Sequence, residues 1–191
     1  MARGLLIVDV QNDFTEGGAL GVTGGNAVAA GISELLARDP ERFALVAASR
    51  DWHEADSSNG GHFAAPGSAP DFASTWPPHC VQGTPGAEYH PALDLGHIDV
   101  HVRKGAGTPA YSAFEGTTLD GRGLAEVLRE RGIDELDVVG IATDYCVRAS
   151  ALDAVAQGLR VRVRSEFIAG VAPESSAAAL RELAAAGVEI R

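Results

Sequence analysis

The stretch from Asp134 to Gly158 constrains the fold of this chain more than any other. Leu136 to Ala142 is a short apolar run rich in β-branched residues, the pattern of a strand buried on both faces. Thr143 and Asp144 then supply helix-start chemistry. Val147, Ala151, Ala154 and Val155 recur at helical spacing up to Gln157, and Gly158 stands where a C-terminal cap would. Strand, turn and helix in that order put Cys146 in the first turn of a helix, just past the carboxyl end of a strand. An open α/β sheet places its ligands there, and the free N–H groups of a helix start favour a thiolate over a thiol. Taken alone, a small buried core thiol is the other reading of such a cysteine.

The same alternation runs along the whole chain. Gly4 to Val10, Phe43 to Ser49, His97 to Val102 and Leu159 to Val163 read as further strands, with Val188 to Ile190 a candidate sixth. Ala27 to Leu36, Leu124 to Arg131 and Pro173 to Ala186 read as helices. Strands alternating with helices predict a three-layer α/β/α fold around a mostly parallel sheet of five or six strands. The strand order stays open, although the arginines alternating along 159–163 suggest a position near a sheet edge. The length suits a single domain over 1–191 with one substantial core. One section, from about 51 to about 95, is too long and irregular to be a plain connection, and long loops of that kind are functional.

Several function classes are disfavoured. Neither G-x-G-x-x-G after the first strand nor G-x-x-x-x-G-K-[ST] occurs, so the commonest use of this architecture, nucleotide binding, lacks its marker. A net charge of −11 argues against nucleic acid and anionic membrane as partners. The only cysteines are Cys80 and Cys146, which suits a reducing cytoplasm better than a disulfide framework. No apolar run approaches the ~20 residues of a membrane span, and the opening Met1-Ala-Arg-Gly lacks the pattern of a signal peptide. Oligomeric state is not legible.

Three unusual residues fall at the carboxyl ends of separate strands: Asp9, Lys104 and Cys146. A parallel sheet gathers such ends on one edge. A thiol nucleophile, a carboxylate to take its proton and a cation to hold both make a covalent amidase chemically sensible. A second cluster lies in and beside the long loop: Asp51, His53, His62 and His79. Imidazoles with a carboxylate suit a borderline divalent ion, zinc if tetrahedral, iron or manganese if octahedral. His90, His97 and His101 read as structural or exposed, and Cys80 as a buried thiol.

Leu6-Ile-Val-Asp-Val-Gln-Asn-Asp-Phe, Arg50-Asp-Trp-His, Trp76-Pro-Pro-His-Cys, Val102-Arg-Lys-Gly and Gly140-Ile-Ala-Thr-Asp-Tyr-Cys-Val together resemble the nicotinamidases. These enzymes, also called pyrazinamidases, belong to the isochorismatase-like cysteine hydrolases. The resemblance runs in order from about residue 4 to about residue 175. It implies a catalytic triad of Asp9, Lys104 and Cys146, and one divalent ion held by Asp51, His53, His62 and His79. It also implies a cis peptide bond at Ile141-Ala142, an oxyanion hole from the N–H groups of Ala142 and Cys146, and a ring-binding pocket walled by Phe14, Trp76 and Tyr111. The implied reaction is hydrolysis of nicotinamide to nicotinate and ammonia through a cysteine thioester, within NAD salvage, with pyrazinamide accepted as an isostere. Two features depart from some members: Tyr145 stands where they have histidine, and the loop between His53 and His62 is longer. The nearest rival is a relative acting on a carbamoyl or ureido compound without the metal site. A metal- or redox-sensing protein using both cysteines is the alternative outside enzymology.

Overall fold

The computed structural model describes residues 2–191; Met1 of the expected 1–191 span lies outside them. Six parallel strands form one sheet in the order β3-β2-β1-β4-β5-β6. The strands are β1 (Ala2–Val8), β2 (Leu45–Asp51), β3 (Val100–Lys104), β4 (Ile133–Ile141), β5 (Arg160–Ala169) and β6 (Glu189–Ile190). The helices are α1 (Gly25–Arg38), α2 (Leu124–Glu130), α3 (Arg148–Ala156) and α4 (Pro173–Ala185). The parallel α/β expectation holds, with six strands rather than five. β5 lies next to the two-residue edge strand β6, as its alternating arginines suggest.

Side chains alternate across a strand, so β1 feeds two cores. Leu6 and Val8 pack with Leu136 and Val138 under α2, α3 and α4, which contribute Leu124, Leu128, Ala151 and Leu183. Leu5 and Ile7 pack with Val139 and Ile141 against Ala29, Ile32 and Leu36 of α1. The central strands carry apolar residues toward both layers, which is why Leu5–Val8 of β1 and Val138–Ile141 of β4 are unbroken by charge. Where α1 does not reach, the amino-terminal half of that sheet face is closed by charge: buried Asp137 lies 3.8, 3.6 and 3.7 Å from Arg3, Arg162 and Arg164.

The strand order reverses direction between β1 and β4, since the chain builds outward to β3 on one side and to β6 on the other. A crevice opens at the carboxyl ends of strands at such a switch point. The section between β2 and β3 folds over this edge without a helix longer than a single 3-10 turn. No helix among the described residues is long and apolar enough to cross a membrane.

Candidate active site

β1 and β4 run side by side with Val8 opposite Gly140, and deliver Asp9 and Cys146 to the crevice. Gly140 has φ 115°, and a Cβ there would lie 2.1 Å from the Val8 carbonyl oxygen, so only glycine allows this approach. The Ile141–Ala142 peptide bond is cis. The chain then makes a π-helical turn, Thr143–Val147, before α3. Tyr145 N and Val147 N both donate to Ala142 O at 3.1 Å. Cys146 therefore sits in a wide turn ahead of the α-helix and not in its first regular turn. Such turns recur at functional sites.

Lys104, at the end of β3, is the hub. Its Nζ lies 2.9 Å from Asp9 Oδ2 and 3.7 Å from Cys146 Sγ, donates to Ala110 O at 3.3 Å, and pairs with Asp51 Oδ1. Parallel register makes this possible, because Asp51 at the end of β2 faces Lys104 directly across the ladder. Ser49 donates its hydroxyl to Asp9 Oδ1 at 2.7 Å. Donor atoms of Asp9, Asp51 and Cys146 all lie within 4.8 Å of one another, and all three residues are buried. Asp9 itself has φ 48°, a backbone conformation that side chains other than glycine's rarely adopt and that clusters at functional sites.

Burial pushes the Asp9 carboxyl above its ordinary range; Lys104 pulls it back, and Asp51 pushes it up again. Burial also opposes ionisation of Asp51, but Lys104 and the imidazoles of His53 and His79 overcome it and hold that carboxyl well below its usual value. Lys104 stays protonated: burial disfavours its charge, yet Asp51 and Asp9 hold its pKa well above that of an ordinary lysine. For Cys146, burial pushes the thiol well up, Lys104 counters, and Asp9 and Asp51 push up further. Burial and two neighbouring carboxylates thus work against the thiolate that the helix start and Lys104 favour.

Beside this group stand His53, His62 and His79, buried, with ligand atoms within 4.8 Å of one another. Their loop is irregular but laddered. His53 pairs with Val81, with His53 N donating to Cys80 O at 3.0 Å, and Phe63 pairs with Trp76, with Trp76 N donating to His62 O at 2.9 Å. These two rungs bring residues far apart in the loop together, and they hold His62 in the group in spite of the longer loop. His53 Nδ1 and His79 Nδ1 each lie 2.8 Å from a carbonyl oxygen, of Gly105 and Pro77. Donation to those carbonyls fixes each ring and leaves its Nε2 turned toward Asp51. Those Nε2 atoms are 3.5 and 3.8 Å from Asp51 Oδ2. Burial, with His53 and His79 nearby, lowers the His62 pKa to about 4, so its imidazole is neutral at pH 7. His53 Nε2 and His62 Nδ1 are buried without a hydrogen-bond partner. Buried imidazole nitrogens without a hydrogen-bond partner, gathered beside Asp51, fit a divalent cation. Cys80 is buried outside this group, as the sequence suggests, and His101 bonds Tyr89.

A cavity of ≈ 390 Å³ joins the two groups: Asp51, His62 and His79 border it on one side, Ala142 and Cys146 on the other. Phe14, Trp76 and Tyr111 line it, as expected. Trp76 Nε1 donates to the Tyr111 hydroxyl at 3.0 Å, which fixes two walls together. Tyr145 adds a fourth aromatic wall, stacked on Tyr111 at 6.0 Å and edge-on to Trp76 at 5.1 Å. Sequence reasoning missed Ser49 and Gln11. Ser49 is two residues before Asp51 on a buried strand, so it shares that residue's face. Gln11 clamps Asp51, donating to its carbonyl at 2.9 Å and accepting from its N–H at 2.8 Å.

Comparison with known proteins agrees with this geometry. The isochorismatase domain model matches residues 3–191. The nicotinamidase/pyrazinamidase of Mycobacterium tuberculosis is 52% identical over 188 residues, covering 98% of this chain and 97% of its own. Among solved structures, pyrazinamidase of Pyrococcus horikoshii in complex with zinc superposes with a TM-score of 0.84 at 36% identity, over 100% of this chain and 99% of that one. PnC1 of L. infantum in complex with nicotinate gives 0.83 at 34% identity, over 100% and 92%.

Proposed function

The chain belongs to the isochorismatase family, and on that premise we propose that it is a nicotinamidase, hydrolysing nicotinamide to nicotinate and ammonia and accepting pyrazinamide. The observation that carries this reading is the placement of Lys104 Nζ against Asp9, Asp51 and Cys146, the last two of which line an aromatic cavity. A nicotinate-bound relative of the same fold supports the choice of ring.

Phe14, Trp76 and Tyr111 hold the pyridine ring, with its carboxamide over Cys146. Asp9, made more basic by burial, takes the Cys146 proton as the sulfur attacks the carboxamide carbon. A carbon–sulfur bond forms and the carbonyl π pair moves to oxygen. The N–H groups of Ala142 and Cys146 receive that oxyanion; one such donor is worth about 3 kcal/mol in related hydrolases. Asp9 returns the proton to nitrogen, the carbon–nitrogen bond breaks and ammonia leaves. Water then gives a proton to Asp9 and adds to the thioester. The carbon–sulfur bond breaks, nicotinate leaves and Asp9 gives its proton back to Cys146. Lys104 keeps its charge throughout and holds both anionic partners in place. Asp51, His53, His62 and His79 would hold the divalent ion, which when bound supplies a Lewis-acidic contact for the ring nitrogen. Zinc is the first candidate, since the Pyrococcus relative was crystallised with it; iron and manganese also suit the donor set.

We read the protein as a cytoplasmic enzyme of NAD salvage whose partner is a small molecule; its two unpaired cysteines suit a reducing compartment. One assay tests the function. Purified protein should release ammonia from nicotinamide and from pyrazinamide in equal yield with the acid. Absence of ammonia release from a folded, metal-loaded sample ends the proposal. Release only from a ureido or carbamoyl compound transfers it to the rival amidases.

A further inference from the structure

The cavity runs from the metal-site residues Asp51, His62 and His79 out to residues exposed at its mouth. At ≈ 390 Å³ it falls within the range of about 300–1,000 Å³ typical of sites for drug-sized ligands, whereas nicotinamide is a single ring with one carboxamide. Its mouth is apolar. Among the described residues the exposed large hydrophobics are Phe72, Leu95, Leu119 and Val171, and two of these, Phe72 and Val171, border this cavity.

Neither is a loose side chain. Phe72 has φ 56°, a conformation a bulky residue seldom adopts. The turn around it is fixed by the Asp71 carboxylate, which accepts from the N–H groups of Ala73, Ser74 and Thr75 at 2.9, 2.8 and 2.8 Å. The Tyr145 hydroxyl donates to the Phe72 carbonyl at 3.5 Å, and the Phe72 ring meets Trp76 edge-on at 6.3 Å. Across the mouth, Val171 N donates at 3.0 Å to Asp144, which lies on the same π-helical turn as Cys146. One rim is thus bonded to the aromatic wall and the other to the turn of the nucleophile. Both hold an apolar surface where water would otherwise be the neighbour.

We propose that Phe72 and Val171 form an outer apolar subsite, and that the enzyme hydrolyses aza-aromatic carboxamides carrying an apolar ring substituent of about propyl size. The proposal rests on the amidase reading above. The bonds broken and formed are those of the parent reaction: the substituent is a bystander held at the rim. A hydrophobic contact of this kind separates substrates by about 10–200-fold.

The test uses the whole protein and the set of nicotinamides bearing one propyl group at each free ring carbon. At least one isomer is expected to show kcat/KM within about tenfold of nicotinamide. For that isomer, Phe72→Ala should lower the ratio of its kcat/KM to that of nicotinamide by about tenfold, with Val171→Ala acting in the same direction. Both positions are exposed, and a melting curve confirms that each variant folds. Hydrolysis of nicotinamide with no propyl isomer turned over overturns the subsite and leaves the parent function standing. A ratio unchanged in both variants also overturns it. Failure on nicotinamide itself removes the amidase reading and the subsite together.

Discussion

The two halves of the site are built on opposite principles. Asp9, Lys104 and Cys146 stand at or just beyond the ends of β1, β3 and β4, so their spacing follows from sheet register and from the Val8–Gly140 approach. The histidines stand on a loop, and two isolated ladder rungs hold them together. The first group is a charge cluster that is fully internal: Lys104 and Asp9 are both buried, and each charge has a partner. The second is a set of imidazole nitrogens, two of them with nothing to bond. A rigid sheet can position reacting atoms closely, while a laddered loop brings together donors whose final arrangement a cation completes. Asp51 joins the two, one oxygen on Lys104 and the other toward His53 and His79.

If the halves are chemically distinct, each can be broken alone. Cys146→Ala should lower kcat for ammonia release by at least about 10⁴-fold, the scale of losing a nucleophile. Metal content and melting temperature should stay near those of the parent. Residual turnover within about a hundredfold would remove covalent catalysis by this sulfur. Lys104→Met attacks the junction. It leaves the Asp9 and Asp51 carboxylates buried together without their cation, and removing one partner of a buried pair costs about 3–5 kcal/mol. A denaturant midpoint that does not move would show that the two carboxylates find another partner.

The loop half should fail differently. His53→Ala is expected to reduce metal affinity by at least about a hundredfold, more than the 10–100-fold typical of altering a residue behind a ligand. Cys146 should remain open to alkylation at the parental rate, since its surroundings come from the strands. Metal analysis beside a thiol-labelling time course separates the two halves, and joint loss of both signals would mean that they form one unit.

Strand ends are legible because charge interrupts the first run at Asp9, Arg103-Lys104 closes the third and helix-start residues follow Ala142, and a parallel sheet gathers all such ends on one edge. Strand order is not, because β1 and β4 are equally apolar and nothing in a run names its neighbour. The histidine group was suggested by the concentration of three imidazoles in one irregular section. The rungs that assemble it are backbone bonds of His53 and of the Phe63–Trp76 pair, and backbone bonds leave little trace in residue identity. The burial that works against a Cys146 thiolate is hidden from the sequence for a similar reason. Helix-start chemistry is local and visible, whereas burial beside two carboxylates arises only when three strand ends meet. Ser49 carries no signal of its own, being one polar residue in a buried strand.

Ser49 offers the finest test of the strand half. Asp9 must be ionised to take the Cys146 proton, so kcat/KM should fall as pH drops through the Asp9 pKa. Burial raises that pKa above its ordinary value of 3.8, so the acid limb should lie above the ordinary carboxyl range. The Ser49 hydroxyl donates to the carboxylate form and therefore favours ionisation, which lowers the pKa. Ser49→Ala removes that bond and leaves a buried acceptor unpaired, at a cost of about 1–3 kcal/mol. The acid limb should then move to higher pH, while the plateau above it falls by a few fold at most. A metal-site defect would lower the plateau without moving the limb in that sense. A pH profile of Ser49→Ala with an unmoved acid limb would assign that limb to a group other than Asp9, and the proton acceptor would have to be sought elsewhere.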